Sequence, residues 1–237
     1  MATLPAGTVT FVFSDIEGST PLLTRLGDAY AELIADHRRI VRKTFAKHDG
    51  VEIDMQGDSF FFAFARARDA VQAAVEAQRA HVEHEWPGRE IVRVRMGLHT
   101  GEPAVGDEGY LGVDVVRAAR LCATAQGGHV LLSETTRALL GSSLPEGVVV
   151  HPLGERQLKG IDEPERVYEL SIDGVEVRES ASAPVSAADP EAQLDALGDW
   201  EKRTEELTRE MRERINEQVL SSLERSLGKL GKRDKRS

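Results

Sequence analysis

Apolar, β-branched and aromatic residues run from Thr8 to Phe13 and predict a buried strand, with Asp15 at or just past its carboxyl end. Ser19 or Thr20 then serves as N-cap with Pro21 at the first helical position, and the spacing beyond predicts a helix through Lys47. HDGVEID reads as a turn into a second strand, Gln56 to Asp58 as a tight hairpin, and Phe60 to Phe64 as a third strand. ARARDAVQAAVEAQRAHVEH carries apolar residues at helical spacing, whereas IVRVRMGLHTG alternates like a half-buried strand. After a Gly-rich loop, Val113 to Ala125 predicts a helix, GGHVLLS a short strand, ETTRALLG a helix, and VVVHPL with RVYELS the closing strands. The order strand, helix, strand, strand, helix, strand belongs to α+β sheets with helices packed on one face.

The pattern changes at about Asp173. ESASAPVSAADPEAQ is rich in Ala, Ser and Pro, as a mobile linker is. Beyond it Leu207, Met211, Ile215, Val219, Leu223 and Leu227 recur every four residues among charges and describe a long amphipathic helix. The expected organisation is a domain over 1–173, a linker over 174–192, and a helix with a basic tail over 193–237. That helix can pair with its symmetry mate, lie back on the domain, or rest on a membrane through Lys229, Lys232, Arg233, Lys235 and Arg236. Glu205, Glu206, Glu210, Glu213 and Glu217 would be repelled by anionic lipid, which favours packing against a protein partner, self-association included, over membrane contact.

Composition narrows the class. A chain of 237 residues with 41% hydrophobic side chains holds one full-sized domain and an appendage. The single Cys122 makes no intramolecular disulfide, and neither a membrane span nor a signal peptide is visible, so the expected address is the cytosol. A net charge of -10 argues against sequence-independent nucleic-acid binding. A polyanionic nucleotide remains compatible with it if a metal supplies positive charge.

Asp15, at the end of one strand, and Asp58, at the tip of a hairpin, can converge on one point. Hard cations such as Mg²⁺ take such oxygen ligands in small number and complete their shell with phosphates and water. Each acid alone is equally an ordinary turn residue. Between them lies EGST, where Gly18 permits close backbone approach and the Ser19 and Thr20 amides open a helix, a place for a phosphate. Two carboxylates beside an exposed helix start suggest catalysis on a triphosphate.

VFSDIEGST, QGDSFF, VRMGLHTGEP, VVRAARL, GGHVLLS and LKGIDEPERVYEL occur in the order found in class III adenylate/guanylate cyclase domains. The chain resembles that family from about Thr8 to Ile172. The resemblance implies a ferredoxin-like βααββαβ core with an antiparallel-rich sheet, acting as a head-to-tail homodimer. It implies a nucleoside triphosphate at the subunit interface and two divalent metals per site, Mg²⁺ or Mn²⁺. The ribose 3′-hydroxyl would attack the α-phosphorus, releasing pyrophosphate and a 3′,5′-cyclic nucleotide. By motif, Asp15 and Asp58 resemble the metal-binding pair, with the Ile16 carbonyl a further ligand. Arg120 resembles the arginine that steadies the transition state, and Lys159 the lysine that reaches the triphosphate.

The sequence departs from the family at three places. Asp54 and Gly109 stand where adenylate cyclases carry the lysine and aspartate that read adenine, and Val116 replaces the asparagine that orients the ribose. An acid at the lysine position suits guanine, whose N1–H and 2-amino group are adjacent donors, but a carboxylate accepts equally from adenine or uracil. Loss of the asparagine is expected to slow the chemistry, because small misplacements of a reacting atom are costly. Arg117 is the nearest side chain that reaches further. The alternatives at this level are a weak or inactive homologue acting as a nucleotide-binding signalling module, and a cyclase for a pyrimidine nucleotide. His99 reads as the end of a strand beside the core, without a catalytic role.

Overall fold

The computed structural model describes residues 4–106 and 109–177; the terminal helix, the basic tail and the linker beyond residue 177 lie outside the described residues. Seven strands form one sheet in the order β2-β3-β1-β4-β7-β9-β8. They are β1 (Val9–Ile16), β2 (Val51–Gln56), β3 (Ser59–Phe64), β4 (Val94–Gly101), β7 (Val130–Ser133), β8 (Val148–Arg156) and β9 (Glu165–Ile172). Among the described residues only the β4–β7 pairing is parallel. The Gly-rich loop contains a two-stranded ribbon, β5 (Ala104–Gly106) against β6 (Gly109–Leu111). The helices are α1 (Ser19–Leu26), α2 (Tyr30–Lys47), α3 (Ala67–Glu83), α4 (Val113–Thr124) and α5 (Glu134–Leu140).

The expected helix from Ser19 to Lys47 is two helices. Gly27 takes a φ of 53°, which ends α1, and a short 3₁₀ turn over Gly27–Ala29 re-aims the chain into α2. Neither Ser19 nor Thr20 caps α1. Gly18, left-handed at φ 68°, holds the N-cap position. At the far edge Pro152 is accepted in β8 because that strand is paired on one side only and shifts register between Pro152 and Gly154.

Helices cover both faces of the sheet, not one. On the first face Val12, Ile16, Phe60, Phe62, Phe64, Met96 and Leu98 pack with Leu33, Val41 and Phe45 of α2 and Val71 and Val75 of α3. On the second face α4 lies across β4, so near that a Cβ added at Gly97 would sit 2.1 Å from the Cys122 nitrogen. One added at Gly101 would meet the Asp114 carboxylate at 2.2 Å. The alternation R-x-G-x-H-x-G along β4 is therefore a seat for a helix, and β4 is buried on both sides instead of half-buried. A smaller apolar cluster of Leu121, Leu131, Leu158, Ile161 and Val167 fixes the carboxyl end of α4 against β7, β9 and the turn between β8 and β9.

Candidate active site

The second face of the sheet ends in charge. Asp15 is the penultimate residue of β1 and lies opposite Arg95 of β4 in the antiparallel register. Arg95 grips the Asp15 Oδ2 from Nε (2.9 Å) and from Nη2, and Ser59, at the start of β3, donates to Oδ1 at 2.9 Å. Asp15 and Arg95 are both buried. The β2–β3 hairpin turns on Gly57 and Asp58, with Gln56 paired to Ser59. A positive φ at Gly57 (59°) but not at Asp58 is the pattern of a type II′ turn. That turn reaches over the end of β1, where Asp58 Oδ2 accepts from the Ile16 amide at 3.1 Å.

The N–H and C=O of one strand residue point to the same side. The Ile16 amide faces Asp58, whereas the Glu17 amide points the other way, to the Arg93 carbonyl at 2.9 Å. The Ile16 carbonyl therefore faces the hairpin tip along with both acids. Burial first, and then the charge and hydrogen bonding of Asp15, push the Asp58 carboxyl up to about 7. Desolvation works against the charge of Arg95, yet Asp15, together with Cys122 and Glu17, outweighs it and raises the guanidinium.

This donor set fits a hard divalent cation. Two carboxylates and a carbonyl are all oxygen ligands, and the carboxyl held up at about 7 is one whose ionised form a cation would relieve. Among the described residues no group of three or more His, Cys, Asp or Glu side chains assembles. A cation here would thus take its remaining ligands from substrate oxygens and water, as Mg²⁺ commonly does.

The other expected residues fall into three further groups. Gly18, Ser19 and Thr20 follow β1 directly and form the start of α1, beside Asp15 in the chain. Asp54 and Gly109 approach from separate elements: a Cβ at Gly109 (φ 121°) would lie 3.9 Å from Ile53 Cγ2, next to Asp54. Asp54 sits at the β2 register shift, and its Oδ1 accepts from the Met55 amide at 2.7 Å. Val116 and Arg120 ride one turn apart on α4, and Arg120 Nε donates to the Lys159 carbonyl at 2.9 Å. Arg120 and Lys159 are thus joined to each other. Arg117 Nη1 is bound to Glu165 at 2.6 Å, and Glu165 also accepts from the Glu134 amide.

Several residues around the acids escaped the sequence reading. Arg95 and Ser59 hold Asp15, Arg38 and His37 hold the hairpin, and Tyr30 stands near Ser19, with its phenol raised by burial and then by Asp58. The signal for Arg95 was present, since it shares β-strand parity with Gly97, His99 and Gly101. His99 of β4 is buried and bonded through Nε2 to Asp114 of α4 at 3.1 Å.

The match to known proteins agrees with this arrangement. The family model for the adenylate and guanylate cyclase catalytic domain matches residues 1–171, and the chain belongs to that family. An uncharacterized protein of Mycobacterium tuberculosis is 38% identical over 168 residues, covering 70% of this chain and 56% of that protein. A receptor-type adenylate cyclase of Trypanosoma brucei brucei, GRESAG 4.3, is 27% identical over 209 residues, covering 70% of this chain and 17% of that one. The chain thus spans about half the length of the mycobacterial relatives it matches. Among solved structures, an adenylate cyclase from Trypanosoma brucei in its monomeric state superposes with a TM-score of 0.66 at 27% identity, covering 74% of this chain and 95% of that one.

Proposed function

We propose that this chain is a nucleotide cyclase that converts ATP or GTP to the 3′,5′-cyclic nucleotide and pyrophosphate. One observation carries the reading: Asp15, the Ile16 backbone and Asp58 converge at the end of β1, immediately before the helix start at Gly18. Asp15, Asp58 and the Ile16 carbonyl would hold Mg²⁺ or Mn²⁺, two ions per site. Bound there, the ions lower the pKa of the ribose hydroxyl and offset charge on the phosphates.

The chain's own groups do the rest. Gly18 lets the backbone approach a phosphate, and the Ser19 and Thr20 amides point toward it with the positive end of α1. Arg120, braced by the Lys159 carbonyl, carries its guanidinium and the Lys159 ammonium as one cationic unit. In the homodimer we propose, this unit from one subunit faces the acids of the other, and the reaction runs only when the two subunits are docked. Asp54 and Gly109 line the base side, where the Asp54 carboxylate accepts from a base donor. The cytosol is the compartment this reading implies; among the described residues no helix is long and apolar enough to cross a membrane.

Val116 and the commitment of Arg117 to Glu165 favour a second reading, in which the domain binds nucleotide and signals without turnover. Incubation of the purified chain with Mn²⁺ and each of ATP, GTP, CTP and UTP separates the two. Cyclic product from a purine triphosphate, lost in Asp58→Asn, is the expected result. Product from CTP or UTP alone would move the substrate to pyrimidines, and tight nucleotide binding with no product would leave the signalling module.

A further inference from the structure

The Gly57–Asp58 turn carries one of the two acids, and a two-residue hairpin offers its loop carbonyls no ladder partner. Consecutive residues of α2 take them up. Arg38 donates to the Gly57 carbonyl from Nε (3.2 Å) and Nη2 (2.6 Å), and His37 Nε2 lies 2.9 Å from the Asp58 carbonyl. A carbonyl only accepts, so His37 carries its proton on Nε2. Its Nδ1 stands 2.9 Å from His81 Nε2 on α3, and His81 Nδ1 stands 2.7 Å from the Ala77 carbonyl. Trp86 closes the chain by donating to the His81 carbonyl at 2.9 Å.

Both imidazoles are buried, His37 beside the Phe60 ring and His81 against Trp86. Burial of polar rings in an apolar core is costly unless their hydrogen bonds are made. Desolvation lowers His37 to about 4 and His81 to about 3, so each ring holds one proton at neutral pH. With His37 Nε2–H committed to Asp58, His37 Nδ1 presents a lone pair to the His81 ring. The Ala77 carbonyl claims the His81 proton on Nδ1 in the same way, so the two rings meet through His37 Nδ1 and His81 Nε2 without a proton between them.

We propose that His37, whose Nε2–H holds the Asp58 carbonyl, is a positioning residue for Asp58: it sets how far the hairpin tip presents its carboxylate to a divalent cation. The proposal rests on the cation reading of Asp15 and Asp58. Mn²⁺ binding to the full chain, followed by electron paramagnetic resonance of the free ion, tests it, with circular dichroism establishing that each variant is folded. His37→Leu is expected to weaken Mn²⁺ binding by about 10- to 100-fold, the usual loss when support behind a metal ligand is removed. His37→Gln, whose Nε2 reaches the same carbonyl, is expected to restore most of the affinity, and His81→Leu to lose less than His37→Leu.

A folded His37→Leu with wild-type affinity overturns the proposal, as does a His37→Gln no better than leucine, which would reduce the role to packing. A wild-type chain that binds no Mn²⁺ overturns the cation reading itself. Should His37→Leu not fold, nitrogen NMR of the wild-type imidazoles decides. A slowly exchanging His37 Nε2–H whose resonance moves on Mg²⁺ addition supports the role; an Nδ1–H tautomer, or no change at saturating Mg²⁺, sinks it.

Discussion

Gly97→Ala is the most direct test of how the second face of the sheet is built. The added Cβ would lie 2.1 Å from the Cys122 nitrogen, 2.7 Å from the Ala118 carbonyl oxygen and 2.7 Å from the Cys122 Cα. All three are backbone atoms of α4, and no rotamer change moves them. The strand cannot retreat either, because Gly97 pairs with Phe13 of β1 on one side and Leu131 of β7 on the other. Relief therefore requires α4 to rise by roughly 1 Å, a displacement that costs about 100-fold in rate when it falls on groups around a reacting centre. Overpacking of this kind costs about 1–3 kcal/mol, and a clash with helix backbone belongs at the upper end. For a domain of this size that is a loss of roughly 6–12 °C in Tm. Gly101→Ala is the control, since its Cβ meets the Asp114 carboxylate, the end of a side chain that can rotate away by giving up its bond to His99. Thermal melts by circular dichroism, with cyclase assays on the same samples, should rank wild type above Gly101→Ala above Gly97→Ala. A Gly97→Ala protein melting within about 1 °C of wild type would refute the close seat assigned to α4.

Asp58 gives a pH prediction. Its folded pKa of about 7 lies above the ordinary 3.8, so its contribution is fully present below pH 3.8 and is lost as pH rises from there through 7. In chelator, Asp58→Asn should gain on wild type by about 3 kcal/mol between pH 5 and pH 8.5, read from urea titrations; parallel pH curves would remove the shift. Saturating Mn²⁺ should raise the melting temperature of the wild type and leave Asp58→Asn unmoved. Arg95 is the cation bound to Asp15 in the interior, so Arg95→Met should cost about 3–5 kcal/mol by breaking a buried ion pair. Adding Asp15→Asn should recover most of that loss in a double-mutant cycle, and simple additivity would show the pair to be uncoupled.

Arg95 also shows where sequence reading stops. Its parity with Gly97, His99 and Gly101 is visible in R-x-G-x-H-x-G, yet nothing local says that the partner of this face is α4, or that Asp15 is the residue across the strand. The break at Gly27 was missed for a related reason. A single glycine in a helical pattern is tolerated as often as it interrupts, and the tertiary path of the chain decides which. His37 and His81 read as polar positions on two helices, and only the packing of α2 beside α3 makes them neighbours.

The amino-acid sequence by itself determined the identities and approximate bounds of the seven main-sheet strands and of α3, α4 and α5, the hairpin between β2 and β3, and the order of motifs that marks the family. Those features depend on periodicity and turn chemistry among near neighbours, and near neighbours are written side by side. Folding alone decided that Asp15 is paired with Arg95, that Arg117 is spent on Glu165, that α4 rests on two glycines, and that a buried histidine stands behind Asp58. Each of these depends on strand register or helix docking between residues far apart in the chain, where the geometry is set by the whole core together.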